Sequence, residues 1–214
     1  MDTLPMVRDG YFYALPLIAA AVLLGWLTSP LWAIIPLLLA CFFLWFFRDP
    51  ERSIPTDPGA VVSPGDGKVT DVSTIVVGNE QRMRFSIFLS VFNVHVNRTP
   101  IAGRVTAVQY QKGKFLVASH EAASQENEQN TLIIEGQGTR VVCRQIAGLI
   151  ARRIVCYKRP GDTVAAGERI GYIKFGSRTD VIFGPEWSAR VKVGDKVAGG
   201  STVLAQRNSF EDIH

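Results

Sequence analysis

The sequence predicts a mainly β domain, an antiparallel sandwich or barrel-like fold, set behind an N-terminal α-helical membrane hairpin. Three observations predict it. Two apolar runs, Tyr11 to Thr28 and Leu31 to Phe47, carry no charged side chain. After residue 59 the pattern changes to short β-rich pieces bounded by Gly, Pro, Asn and Asp. Finally, Pro160-Gly161-Asp162-Thr163-Val164-Ala165-Ala166-Gly167 recurs as Val193-Gly194-Asp195-Lys196-Val197-Ala198-Gly199-Gly200, twice the form x-G-D-x-V-x-x-G. The chain therefore divides into a hairpin at 1–48, a linker at 49–59 holding three prolines, and a domain at 60–214.

At about 1.5 Å per residue each apolar run reaches roughly 25 Å as a helix, against roughly 30 Å of hydrocarbon core. Pro16 and Pro36 predict a kink in each, and Ser29-Pro30 a turn between them. Two thin spans and a re-entrant hairpin both satisfy these lengths; a buried helical hairpin of a soluble core is the weaker alternative. A cleaved signal peptide is not expected, because the second run follows at once with no A-x-A-like site between. Arg8, Arg48 and Arg52 flank the outer ends while Gly25 to Pro30 holds no basic residue. That asymmetry predicts a cytoplasmic-membrane protein whose domain faces the cytoplasm, with Phe42, Phe43, Trp45, Phe46 and Phe47 as an interfacial anchor.

In the domain, strands are predicted at Gly67 to Thr74, Met83 to Ser90, Gly103 to Gln109, Thr131 to Glu135, Thr139 to Ile146, Ile154 to Tyr157, Ile170 to Phe175, Asp180 to Phe183, Ala189 to Val193 and Thr202 to Gln206. Glu121 to Asn130 reads as a loop or one short helix. Each copy of the repeat pairs a turn with a following strand, which predicts a quasi-twofold arrangement like the hammerhead elements of biotinyl and lipoyl domains. Those domains carry their cofactor on a lysine at a hairpin tip. Here the segment between the copies presents Gly176-Ser177 instead, predicted to lie in an exposed connection between two strands.

The net charge of +4 and pI near 9.1 fit an anionic membrane surface or an anionic substrate, and no nucleic-acid partner is expected. Cys41, Cys143 and Cys156 have no CxxC spacing and read as buried thiols in a reducing compartment. No metal site is implied.

Gly176-Ser177 carries a specific chemistry. Glycine leaves its carbonyl open to attack, and the following serine hydroxyl can take the acyl group from nitrogen to oxygen. Elimination of the resulting ester leaves dehydroalanine, which hydrolyses to a pyruvoyl group on a new N-terminus. That ketone could form an imine with an amine and accept electrons from a breaking bond. Taken alone, a Gly-Ser pair is usually a turn. Proton transfer would need a base, and the chain has three histidines. His214 is the last residue and His120 lies in a polar stretch, whereas His95 falls in a strand-rich segment ending in a turn, where a structural histidine hydrogen-bonded in a β core is the equal alternative. Asp66, between Gly65 and Gly67, is the carboxylate placed to stabilise that imidazole, although a turn aspartate has the same local pattern.

Val62-Ser63-Pro64-Gly65-Asp66-Gly67, the run from Leu89-Ser90 through His95 to Pro100, and Phe175-Gly176-Ser177 occur in the order and approximate spacing seen in phosphatidylserine decarboxylases. From about Arg48 to Ala205 the sequence resembles the short bacterial and archaeal subfamily. The resemblance implies a proenzyme that cuts itself between Gly176 and Ser177 into a large β chain, 1–176, and a small α chain, 177–214, held as a heterodimer or a higher oligomer of it. Ser177 would become the pyruvoyl cofactor, Asp66, His95 and Ser177 the processing triad, and phosphatidylserine in the membrane the substrate. Long family members have Leu-Gly-Ser-Thr at the cut and a second histidine where this chain has Phe-Gly-Ser-Arg and Arg98. Arg98 is thereby a candidate for binding phosphate or carboxylate, or a structural arginine. Lys112, Lys114, Arg152, Arg153 and Lys158 could attract the phosphate, though a solvated basic face is the simpler reading. Archaetidylserine decarboxylation is the nearest alternative; a membrane-tethered biotinyl-like carrier or adaptor is the non-enzymatic one. A metallopeptidase is disfavoured for want of an H-E-x-x-H helix.

Overall fold

The structure, a computed structural model, describes residues 6–57, 59–118, 122–149, 153–174 and 176–208. It divides into two compact units, Met1–Glu51 and Arg52–His214.

The first unit is a pair of helices, α1 (Arg8–Leu27) and α2 (Pro30–Phe46). Ser29 caps α2, its hydroxyl accepting the Leu31 N–H at 3.4 Å, and Pro30 occupies the first turn, where its missing N–H has no partner to lose. Small residues make the inner seam: Gly10, Ala14 and Ala21 of α1 and Ala40 of α2 are buried, so the backbones approach closely. Near the open end Tyr13 stacks on Phe43, with centroids 5.0 Å apart. The outward faces expose Phe12, Val22, Trp26, Leu31, Trp32 and Leu38. So large an apolar surface is disfavoured in water and matched by lipid. Helix α1 is long and apolar enough to cross a membrane; α2, at 17 residues, is shorter. Cys41, expected buried, is exposed on α2.

The second unit contains strands β1 (Ala60–Val62), β2 (Gly67–Val77), β3 (Glu80–Leu89), β4 (Val96–Arg98) and β5 (Gly103–Gln111), then a one-turn helix α3 (Ala123–Glu126). There follow β6 (Gln129–Gly136), β7 (Thr139–Ile146), β8 (Ile154–Cys156), β9 (Thr163–Val164), β10 (Arg169–Ile173), β11 (Ser177–Phe183), β12 (Trp187–Ala189), β13 (Lys196–Val197) and β14 (Val203–Arg207). Eight form one curled antiparallel sheet, ordered β13-β2-β3-β11-β7-β6-β5-β9, flanked by the three-stranded sheets β1-β14-β12 and β4-β10-β8. Val61, Phe85, Ile87, Val105, Ile134, Val181, Phe183 and Leu204 fill the main core. The domain is thus mainly β and antiparallel, as the alternating segments predict.

Strand β11 is buried along its whole length and lies between β3 and β7. Its polar first half hid its start: the strand begins at Ser177, not Asp180. The expected exposed connection is therefore corrected, since Ser177 is 0% exposed. Strand β12 also sits earlier than predicted, and the short β1, β4, β9 and β13 carry too few residues for an alternating pattern.

The two sequence repeats fold alike. In the first, the Asp162 carboxylate accepts the Arg159 N–H at 2.8 Å, Gly161 N–H donates to Val105 O, and Val105 N–H donates to Asp162 O. In the second, Asp195 accepts the Lys192 N–H at 2.9 Å, Gly194 N–H donates to Val69 O, and Val69 N–H donates to Asp195 O. The leading glycines share a positive φ, 99° and 102°, a conformation open to glycine at no steric cost. Strands β9 and β13 then pair with the starts of β5 and β2. The equivalence is one of turns and short strands within a curled eight-stranded sheet.

Cys143 is buried and Cys156 partly so. Loss of solvent pushes both thiols above the usual cysteine range, Cys143 further through its neighbour Cys156.

Candidate active site

The Gly176-Ser177 bond lies where the β10–β11 connection enters the sheet. Ser177 pairs with Leu89 of β3, Arg178 with Phe88 and with Ile146 of β7, and Thr179 with Ile87 and Gln145. Side chains alternate along a strand, so Ser177 and Thr179 share one face and Arg178 and Asp180 the other. On the second face Arg178 and Asp180 form a buried pair, Nε to Oδ1 at 2.8 Å and Nη2 to Oδ2 at 2.9 Å. Arg178 also donates to Ser124 Oγ and to Ala118 O, at 3.4 Å to the latter. Two ionic side chains are satisfied there by each other and by Ala118 and Ser124, which pins the first residues of β11.

The first face is different. Ser177 Oγ and Thr179 Oγ1 are buried and find no hydrogen-bond partner among the described residues. A buried hydroxyl without a partner sacrifices water at a cost of about 1–3 kcal/mol, so its retention asks for a reason. Before it, Gly176 has φ +62°, which an L side chain adopts only under strain. The Ser177 hydroxyl and the Gly176 carbonyl belong to neighbouring residues, so acyl transfer between them closes a small ring through the intervening amide nitrogen.

Beside Thr179 runs a buried chain of amides. Asn130 Nδ2 donates to Gln145 Oε1 at 3.0 Å, and Gln145 Nε2 to Asn97 Oδ1 at 2.9 Å. It links the inner face of the sheet to β4, where Asn97 follows His95 by two residues. These amides were not singled out from sequence, yet a signal existed: Asn130 and Gln145 occupy inward positions in strands whose alternate residues are Leu132, Ile134, Cys143 and Val141. His95 is 2% exposed, with both ring nitrogens shut off from solvent, and its carbonyl accepts the Ile173 N–H at 3.4 Å. Thus His95 is held by the strand that leads to Gly176.

Asp66 lies in the turn between β1 and β2. Nη2 of Arg52 straddles its carboxylate at 2.9 and 2.8 Å, and Gly199 N–H donates to Oδ1 at 2.8 Å. A methyl on neighbouring Gly65 would come within 3.4 Å of Asn97 Nδ2, so this turn abuts the amide chain. Arg52, read from sequence as a membrane-flanking charge, is an ion-pair partner of Asp66, with its side chain 14% exposed. Nothing local to a proline-rich linker announces that pairing.

Arg98 is 8% exposed, and its Nη1 donates to Gly167 O at 3.0 Å. Lys114 is paired with Glu126 on the solvated surface, whereas Lys158 and Glu168 form a mostly buried pair. Lys112 and Arg153 are exposed, while His120, His214, Arg152 and Phe175 lie outside the described residues. A cleft of about 460 Å³ lined by Glu80, Arg82, Arg140 and Glu186 sits at the opposite end of β11 from Ser177 and holds none of these groups. No cluster of three or more His, Cys, Asp or Glu suited to a metal occurs among the described residues.

The model of the family described as phosphatidylserine decarboxylase matches residues 39–205. A "Phosphatidylserine decarboxylase proenzyme" of Solibacter usitatus (strain Ellin6076) is 58% identical over 202 residues, 94% of this chain and 97% of that one. With most of its length matched on both counts, the chain belongs to the phosphatidylserine decarboxylase family.

Proposed function

We propose that this chain, a phosphatidylserine decarboxylase, makes its electrophile from its own backbone by cutting between Gly176 and Ser177. The observation that carries the reading is the buried Ser177 hydroxyl without a described partner, next to a glycine at φ +62°. Ser177 Oγ attacks the Gly176 carbonyl carbon, the C–N bond breaks, and the hydroxyl proton ends on the freed amine. His95 receives and returns that proton, and Asp66, oriented by Arg52 and Gly199, favours the charged imidazole. Loss of the Ser177 α-proton and of the ester then leaves a dehydroalanine, which water converts to the terminal ketone with release of ammonia.

The pyruvoyl group supplies an electron sink for the bond that releases CO2 from the serine headgroup. The surrounding residues fit it: Ser177 starts a strand hydrogen-bonded on both sides, so the new terminus stays in place. The same pairing favours retention of both chains as a heterodimer. Residues 177–214 would contribute β11 at the centre of the large sheet, β13 at its edge, and β12 and β14 to a flanking sheet. Arg98, whose Nη1 donates to Gly167 O, is the candidate for meeting an anionic group of the substrate. The hairpin at 1–48 and the linker at 49–59 would keep the domain at the cytoplasmic membrane, so that acyl chains stay in lipid while the headgroup reacts. A cytoplasmic orientation rests on Arg8, Arg48 and Arg52 at the outer ends of the hairpin. The paired turns are the support for a hammerhead-type likeness.

The test is Ser177→Ala. Purified wild-type protein is expected as two chains, the smaller blocked to amine reagents, and Ser177→Ala as one inactive chain of 23.5 kDa. An active, uncut Ser177→Ala protein ends this reading.

A further inference from the structure

A second glycine lies against the bond to be cut. A methyl group built on Gly148, just past the end of β7, would overlap the Gly176 carbonyl oxygen and come within 3.1 Å of its carbon and 3.3 Å of Ala118 Cβ. The Gly148 α-carbon is therefore packed on the very carbonyl that Ser177 would attack. Its φ lies outside the left-handed region, so an alanine there would strain no backbone and act through space alone.

This placement is built rather than incidental. Asn127, fully buried, donates through Nδ2 to Ala147 O at 2.7 Å and to Leu116 O at 2.8 Å, while its Oδ1 accepts the Leu116 N–H at 2.8 Å. One amide thus ties the residue before Gly148 to the 115–118 segment. Arg178, the second residue after the proposed cut, also donates to Ala118 O. Phe115 packs with Ala147 and Ile173 in a small apolar cluster beneath the β10–β11 connection.

We infer that Gly148 is a positioning residue for self-cleavage: its bare α-carbon lets the 147–149 segment close on the Gly176 carbonyl and fix the face it presents to Ser177 Oγ. The inference rests on the proposed cut at Gly176-Ser177. Its chemical consequence is confined to the first step, in which the Oγ–C bond forms, the C–N bond breaks and the proton passes to nitrogen. A carbonyl pushed aside by one methyl loses its approach geometry, and small displacements of reacting atoms lower rates steeply.

The experiment compares wild-type, Gly148→Ala, Gly148→Ala/Ala118→Gly and Asn127→Asp chains, following the cut fraction on denaturing gels with and without hydroxylamine, beside thermal unfolding. Hydroxylamine cleaves an accumulated ester but not an unreacted amide. Gly148→Ala is expected to cut at least about tenfold more slowly with no hydroxylamine-sensitive ester. Ala118→Gly should not restore it, because the carbonyl overlap remains. Asn127→Asp keeps the acceptor for Leu116 N–H and loses both donated bonds, so it should slow cutting severalfold, again without ester. Wild-type cutting rates in Gly148→Ala, rescue by Ala118→Gly, or an accumulating ester would each overturn the inference. Should Gly148→Ala fail to fold, Asn127→Asp decides, and an unchanged rate there overturns it. A wild-type chain that is never cut would instead sink the proposed function itself.

Discussion

The two x-G-D-x-V-x-x-G turns have the same backbone hydrogen bonds and differ at the site by one methyl group. Where the first has Ala166, the second has Gly199, and Gly199 N–H reaches Asp66 Oδ1 at 2.8 Å. A methyl there would lie 3.2 Å from the Gly65 backbone and 3.4 Å from Asp66 Oδ1, a tight fit against main chain that has little room to move. The first copy is closed by Glu168, which accepts the Ala165 N–H; the second by Thr202, which accepts the Ala198 N–H. Both rest their last glycine on an equivalent carbonyl, Gly167 on Thr99 and Gly200 on Ser63. A near-symmetric frame thus carries an asymmetric site: one turn is structural, and its twin is adapted to hold a carboxylate.

The largest expected effect comes from removing what the second turn holds. Asp66→Asn keeps the shape and loses the charge, and self-cleavage should slow by about 10²- to 10⁴-fold, the usual worth of a general acid–base partner. Cut fraction against time measures it. Cutting at the wild-type rate would reduce Asp66 to a partner of Arg52 and leave the two turns alike in role as well as shape.

Swapping the distinguishing methyl should have a smaller, one-sided effect. Gly199→Ala overpacks a buried contact and is expected to cost about 1–3 kcal/mol in urea unfolding, with slower cutting because Asp66 shifts. Ala166→Gly should cost about 0.5–1 kcal/mol through backbone entropy and leave cutting unchanged. Equal behaviour of the two would mean that the site does not distinguish them.

Which parts of this were legible from sequence follows from the range of the interactions. The apolar helices announce themselves in uncharged runs, and β7 falls on the predicted Thr139–Ile146 because its alternation is local. Strand β11 hides its first half because Ser177, Arg178, Thr179 and Asp180 read as a turn, and only the ion pair and two neighbouring strands make them buried β structure. The Gly176-Ser177 pair stood out in the sequence as the candidate bond, and the turns as a repeat. Arg52 on Asp66, the amides Asn97 and Gln145, and Gly148 against Gly176 were not singled out, since each depends on segments brought together by the sheet.

The smallest effect tests the symmetry itself. In each turn an aspartate accepts one backbone N–H, Asp162 from Arg159 and Asp195 from Lys192, and both are partly exposed. In the uncut Ser177→Ala protein, Asp162→Ala and Asp195→Ala should therefore destabilise equally, by about 0.5–1.5 kcal/mol each. After cutting they should diverge. The first turn bonds to Val105 within 1–176, whereas the second bonds to Val69 across the two chains. Weakening the second turn loosens a junction between separate molecules, so Asp195→Ala should lower the urea concentration at which the small chain is released, and Asp162→Ala should not. Equal release from both would show that β11, buried between β3 and β7, retains the small chain without help from the turn.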